Sequence, residues 1–223
     1  LLEAIGELLP LAVGLSISPL PIIAMIVLLM SPKAPISAPA FMLGWMIAIA
    51  AALILFGSLA GLGFGKGGSG GIVAAVKMAL GAGLLLLALM EWRARPRRGE
   101  TAQLPHWLEA VERMGPFAAG GLGFGIYAAN PKNLTVGIAA GVAFGQTRLP
   151  PGQAALVCLV YVLIAASTVV VPVIGYFVAR ERVRPWLDEM RDWLTQHNAA
   201  VMAVLLLIVG AMMFGKGVSS LAG

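Results

Sequence analysis

Apolar residues run through this chain in stretches of about twenty or more, and the polar residues collect in the short segments between them. A helix needs about 20 apolar residues to cross the roughly 30 Å hydrocarbon core of a bilayer. Six stretches meet that length: Leu8 to Met30, Ala38 to Leu62, Gly71 to Trp92, Pro116 to Phe144, Ala154 to Ala179 and Ala199 to Val218. The pattern predicts an all-α integral membrane protein with six transmembrane helices. The fourth stretch is long enough to be broken or strongly tilted. The first is too long for a signal peptide, and no small-residue cleavage site follows it.

The two halves of the pattern match. Ser18-Pro19 in the first stretch reappears as Asn130-Pro131 in the fourth, 112 positions on, and the same offset carries Pro39 onto Pro151. Leu84–Ala88 aligns with Leu206–Gly210 after a small insertion. Three helices per half is an odd number, so the halves are predicted to be inverted repeats, with a site near the midplane where helices break. The chain then forms a single transmembrane domain over 1–223. Its first three-helix repeat is 1–92, its cytoplasmic linker 93–115 and its second repeat 116–223.

Charge sets the expected orientation. Lys33, Arg93, Arg95, Arg97, Arg98, Arg113, Arg180, Arg182, Arg184 and Arg191 fall at one set of helix ends; Lys66, Arg148 and Lys216 fall at the other. The positive-inside rule puts the larger set in the cytoplasm, and both termini outside. Topology thus explains the net charge of +5 without nucleic acid. Contact with the anionic cytoplasmic leaflet fits the same placement. Two cytoplasmic segments are amphipathic. Leu104, Trp107, Leu108, Val111 and Met114 recur at helical spacing in one, and Trp186, Leu187, Met190, Trp193 and Leu194 in the other, within 184–197. Such helices either lie in the membrane interface or cap the bundle. With 60% of its residues hydrophobic and 11% charged, the chain could not bury its apolar surface in a soluble fold.

Two proline breaks carry the candidate chemistry. In Ser16-Ile17-Ser18-Pro19-Leu20-Pro21, each proline lacks an N–H and clashes with the carbonyl four residues back. Pro19 is predicted to free the carbonyl of Leu15 and Pro21 that of Ile17, in a break lined by Ser16 and Ser18. In Ala129-Asn130-Pro131-Lys132-Asn133, Pro131 is predicted to free the carbonyl of Tyr127, and Lys132 places an amine near the middle of the fourth helix. A lysine at that depth costs at least about 2.5–3.5 kcal/mol unless it is paired or wetted. No nearby residue of that helix can neutralise it. Lys132 is then either a substrate anchor in a polar cavity, or a lysine satisfied by freed carbonyls and Asn130 that holds the halves together. Lys77, about two turns into the third helix, either snorkels outward or adds a second positive charge to the pathway. The candidate binding set is Ser16, Ser18, Pro19, Pro21, Asn130, Pro131, Lys132, Asn133 and Lys77.

The ten carboxylates lie near helix ends or in loops, so the helices hold two lysines and no acid unless Glu7 or Glu91 turns inward. That pattern favours an anionic or zwitterionic substrate, such as a phosphate, sulfate or carboxylate headgroup. No metal or other cofactor is expected, because His106, His197 and the single Cys158 form no ligand cluster. Gly-Leu-Gly-Phe-Gly occurs at Gly61–Gly65 and Gly121–Gly125. No strand precedes either copy, so close helix packing explains them better than a nucleotide site. Without a Walker lysine motif or an acid–base constellation, neither an ATP site nor an enzyme is expected.

The Ile17-Ser18-Pro19-Leu20-Pro21 break, Gly44-Trp45 in the second helix and Asn130-Pro131-Lys132-Asn133-Leu134 resemble the GAP family of glycolipid- or sulfolipid-addressing proteins, within the lysine-exporter (LysE) superfamily. The likeness covers nearly the whole chain. It implies a multi-pass plasma-membrane protein of actinobacterial type that helps move a cell-envelope glycolipid across that membrane. The partners it implies are a membrane lipid or glycolipid substrate and a larger lipid transporter or biosynthetic enzyme. A second copy of the chain is a further candidate partner, and nucleic acid is not. The lone Cys158 argues against the superfamily's thiol-disulfide electron carriers, and the lack of buried acids and histidines against its metal exporters. Two other readings stay open. One is export of a small anionic or zwitterionic solute, favoured by a pocket closed to lipid; a side opening between helices favours a lipid instead. The other is a non-transporting accessory protein that docks its partner through the amphipathic segments.

Overall fold

The computed structural model describes residues 1–60, 70–95, 110–147 and 149–222. Among these residues it is all-helical, with α1 Leu2–Ser16, α2 Pro19–Met30, α3 Ala34–Leu59, α4 Gly70–Ala94, α5 Pro116–Ala129, α6 Pro131–Gln146, α7 Pro151–Ala165 and α8 Ser167–Ala222. Two helices, α3 and the apolar reach of α8, are long and apolar enough to cross a membrane, and α1 with α2 makes a third span if the bent pair counts as one. Large apolar side chains face outward along the helices. Leu43 and Ile47 on α3, Leu86 on α4, Leu159 on α7, and Ile174 and Leu207 on α8 are all exposed. Lipid, not water, is the solvent such a surface requires.

The prolines break the helices where the sequence places them. The first stretch is two helices, α1 and α2, bent by 58°. Ser18 sits at the N-cap of α2 in extended backbone (φ −124°, ψ 107°), and Pro19 follows at the first helical position. A helix start at membrane depth exposes unsatisfied N–H groups. Here Pro19 and Pro21 carry none, so only Leu20 presents one among the first three residues of α2. The second break has the same form: Asn130 is extended (φ −92°, ψ 114°) and Pro131 opens α6. Ser18 and Asn130 thus hold equivalent places in the backbone.

Across the second break, α5 and α6 climb alongside α3 in the same direction. Gly120 meets Ala40 and Gly44, Gly123 meets Phe41 and Trp45, Gly137 meets Ala52, and Gly141 meets Phe56 and Gly57. The contact is close enough that a Cβ on Gly44 would collide with the Gly120 carbonyl, and one on Gly123 with the Phe41 carbonyl. Small residues allow this approach, which replaces the hydrophobic drive that helices lack in lipid. Elsewhere α1 packs on α7 and α6, and α2 packs on α8. The last part of α8 lies against α4, where Leu84, Ala88 and Leu206 form a separate small core.

Several expected boundaries move. The fifth stretch begins at Pro151, is interrupted at Ala166 and bends again at Ala179 (φ −147°, ψ 52°). Beyond Ala179, segment 184–197 and the sixth stretch form one continuous helix rather than two. Leu187 and Leu194 are buried against the bundle, and Met190 packs beside them. Trp186 and Trp193 are exposed, so the apolar residues of this segment divide between two faces. The other amphipathic segment lies mostly outside the described residues. Its end docks on α3: Val111 is buried, Ser37 Oγ donates to the Met114 carbonyl (2.9 Å) and Lys33 Nζ to the Arg113 carbonyl (3.2 Å).

Candidate functional site

The two breaks meet at Lys132. Its side chain is 0% exposed, and Nζ donates to the Gly14 carbonyl (3.2 Å) and the Ile17 carbonyl (2.9 Å). These oxygens belong to the last turn of α1 and its cap, where the helix ends without intrahelical partners. The negative end of the α1 dipole therefore faces a cation from the other half of the chain. Among the described residues no carboxylate pairs with this ammonium, and no acid is buried. An ammonium has three protons to donate; two go to backbone oxygens here.

Neighbouring groups hold this junction. Asn130 Oδ1 accepts from the backbone N–H of Lys132 (3.0 Å) and of Asn133 (3.4 Å), which caps α6 and fixes the start of the helix that carries the lysine. Thr168, just past the Ala166 interruption, donates its hydroxyl to the Ser16 carbonyl at 2.6 Å. Ser16 Oγ turns back on the Val13 carbonyl (2.8 Å). The Ile17 carbonyl is free of its own helix, as the proline pattern predicts, and Lys132 takes it. The expectation for Tyr127 is corrected: its carbonyl accepts from the Asn130 N–H (3.3 Å), because the chain turns out of the helix there and closes a tighter bond.

Of the sequence-predicted set, Lys132 reaches the carbonyl of Ile17, which the set did not include, while Ser16 beside it bonds Val13 and Thr168 instead. Asn130 acts through its cap, and Pro19, Pro21 and Pro131 act by starting the half-helices. Ser18 and Asn133 are fully buried, yet Ser18 Oγ and both amide atoms of Asn133 have no partner among the described residues. The side chain of Lys77 lies outside the described residues. Trp45, Tyr127 and Thr168 were not in the set. Polar-tipped aromatics in the middle of apolar stretches were the available signal for the first two. Nothing in the sequence ties Thr168 to a carbonyl 152 positions away.

A separate feature opens sideways. Leu43 and Ile47 of α3, Phe144 of α6, and Ala155, Cys158 and Leu159 of α7 help to line a groove of about 650 Å³ that is almost wholly apolar. Lys132 does not line it. Among the described residues, no group of three or more His, Cys, Asp and Glu side chains is placed to hold a metal ion.

Apolar helices with outward-facing aliphatics, interrupted by two proline-led breaks around a buried ammonium, define an α-helical membrane protein. Nothing among the curated proteins or the solved structures matches the chain. A family model does: the chain belongs to the Sap, sulfolipid-1-addressing protein family (SfLAP), matched over residues 8–219.

Proposed function

We propose that this protein carries the headgroup of an anionic lipid, of the glycolipid kind its family's name implies, across the plasma membrane. The observation that supports this reading most is Lys132, fully buried, without an acid partner, and held by the carbonyls of a helix end in the other half. Backbone carbonyls are neutral acceptors. An anionic oxygen competes for the same ammonium with a stronger, charge-assisted bond. In the resting state Lys132 ties α6 to the end of α1. A headgroup anion that takes over the amine releases that tie and lets the halves move. The anchor thus acts as substrate site and as latch at once, which joins both readings that the sequence leaves open. The apolar groove beside α3 and α7 supports a lipid over a soluble solute, because it gives tails a path open to the bilayer.

In this reading the chain has six spans as two inverted three-helix repeats of LysE type, with two interfacial segments on the cytoplasmic side. The packing supports it, since the partners exchange between halves: of the broken first span, α1 packs on α7 and α2 on α8, and the broken fourth span packs on α3. The third helices, α4 and the end of α8, pack on each other. Lys33 and Arg113 meet, and Arg191 reaches Met30, at the end assigned to the cytoplasm. Both termini are then outside. Energy comes from an ion gradient, from a partner such as a larger lipid transporter, or from the substrate's own gradient.

Reconstituted liposomes holding fluorescent sulfatide, a sulfated galactosyl lipid, test this function. Wild-type protein is expected to speed exchange between leaflets. Lys132→Met, which keeps the apolar stem, is expected to fall to the rate of protein-free liposomes. Undiminished exchange in that variant would remove Lys132 from the mechanism. A wild type that exchanges nothing but retains a partner protein would favour the accessory reading.

A further inference from the structure

Beside the lysine lies a second group of polar atoms that the anchoring role leaves unused. Trp45 is 1% exposed, Tyr127 2% and Asn133 0%. Trp45 Nε1, the Tyr127 hydroxyl, and Asn133 Nδ2 and Oδ1 all lack a partner among the described residues. These residues share one place in the fold. The Trp45 and Tyr127 rings meet edge to face at 5.6 Å. The Tyr127 hydroxyl reaches α6 at Gly137, close enough that a Cβ there would collide with it. Gly137 is one turn beyond Asn133, so the two lie on one helix face. Glycine at 137 is therefore what lets the phenol reach that face at all.

Buried polar atoms are paired in nearly all native structures, and leaving one unpaired is costly. Four such atoms in one neighbourhood call for a partner that the described residues do not supply. Their chemistry narrows the choice. Asn133 and Trp45 donate, Asn133 also accepts, Tyr127 does both, and none is charged. A phosphate or sulfate alone would not use the acceptor. An alcohol, which donates and accepts at once, matches every member.

We propose that Trp45, Tyr127 and Asn133 form a subsite for the hydroxyl groups of a sugar ring, next to the Lys132 site for the anion. This deepens the proposed function and rests on it: the sugar and the anion of the same headgroup are read by separate residues. Lys132 and Asn133 are adjacent in the chain, and Asn130 caps both backbone N–H groups. The anion site and the hydroxyl site are thus fixed to the same turn of α6.

Binding to purified protein in detergent, followed by native mass spectrometry, tests the two parts separately. The probes are sulfatide, its unsulfated parent galactosylceramide, and phosphatidic acid, which is anionic but has no sugar. Tyr127→Phe and Asn133→Leu are expected to lower sulfatide affinity about tenfold, roughly the worth of one good hydrogen bond, and to leave phosphatidic acid within about twofold. Lys132→Met is expected to erase the preference for sulfatide over galactosylceramide. Tyr127→Phe removes a single oxygen and keeps the fold if Asn133→Leu does not. If folded Tyr127→Phe protein keeps the wild-type preference of sulfatide over phosphatidic acid, the hydroxyl subsite is wrong. If instead Lys132→Met alone leaves the anion preference intact, the anchoring role fails while the hydroxyl subsite stands.

Discussion

A lysine in the middle of an apolar stretch costs too much to be incidental, and that cost made Lys132 visible in the sequence. Its acceptors were not visible, because backbone carbonyls carry no residue label and belong to a segment more than a hundred positions away. The same limit hid which backbone carbonyl Thr168 serves. Each contact at this scale has a separate measurable effect. Thr168→Val leaves the Ser16 carbonyl with only the Ser18 N–H (2.9 Å). It is expected to lower unfolding stability by about 0.5–1.5 kcal/mol in detergent, while Thr168→Ser stays near wild type. Asn130→Ala removes the α6 cap and is expected to cost about 0.5–2 kcal/mol. Asn130→Ser, another good cap residue, is expected to recover most of it, by the same thermal or denaturant titration.

Whole helices were legible where a physical rule leaves a mark on residue type. Pro19, Pro21 and Pro131 announced both breaks because a proline inside a helix loses a bond and clashes. The interruption at Ala166 and the bend at Ala179 are marked less sharply: each lies six residues before a proline, Pro172 or Pro185, and alanine itself favours helix. The glycines of α5 were legible as close-packing residues but not by face. Gly121 has open space where its Cβ would be, whereas Gly123 is pressed on the Phe41 carbonyl. Gly123→Ala is expected to destabilise by about 1–3 kcal/mol, because a backbone atom cannot step aside as a side chain can. Gly121→Ala, two positions away, is expected to be neutral or stabilising by up to about 1 kcal/mol. Equal losses in the two variants would contradict the seam between α3 and the broken α5–α6 pair.

For the whole molecule, charge and hydropathy predict an orientation, and the breaks underlie the proposed mechanism. In a Cys158→Ala background, Gly152→Cys is expected to react with a membrane-impermeant maleimide in intact cells, and Arg184→Cys only after permeabilisation. The reverse would turn the protein over in the membrane and undo the positive-inside assignment. The proposed transport depends on one exchange: the Lys132 amine leaves the end of α1 and takes up an anionic oxygen. The direct measurement is a structure of the protein in lipid nanodiscs containing sulfatide. The expected result is a sulfate oxygen about 3 Å from Lys132 Nζ, with the bonds to the Gly14 and Ile17 carbonyls broken. Lys132 still bound to both carbonyls while sulfatide occupies another site would contradict the mechanism.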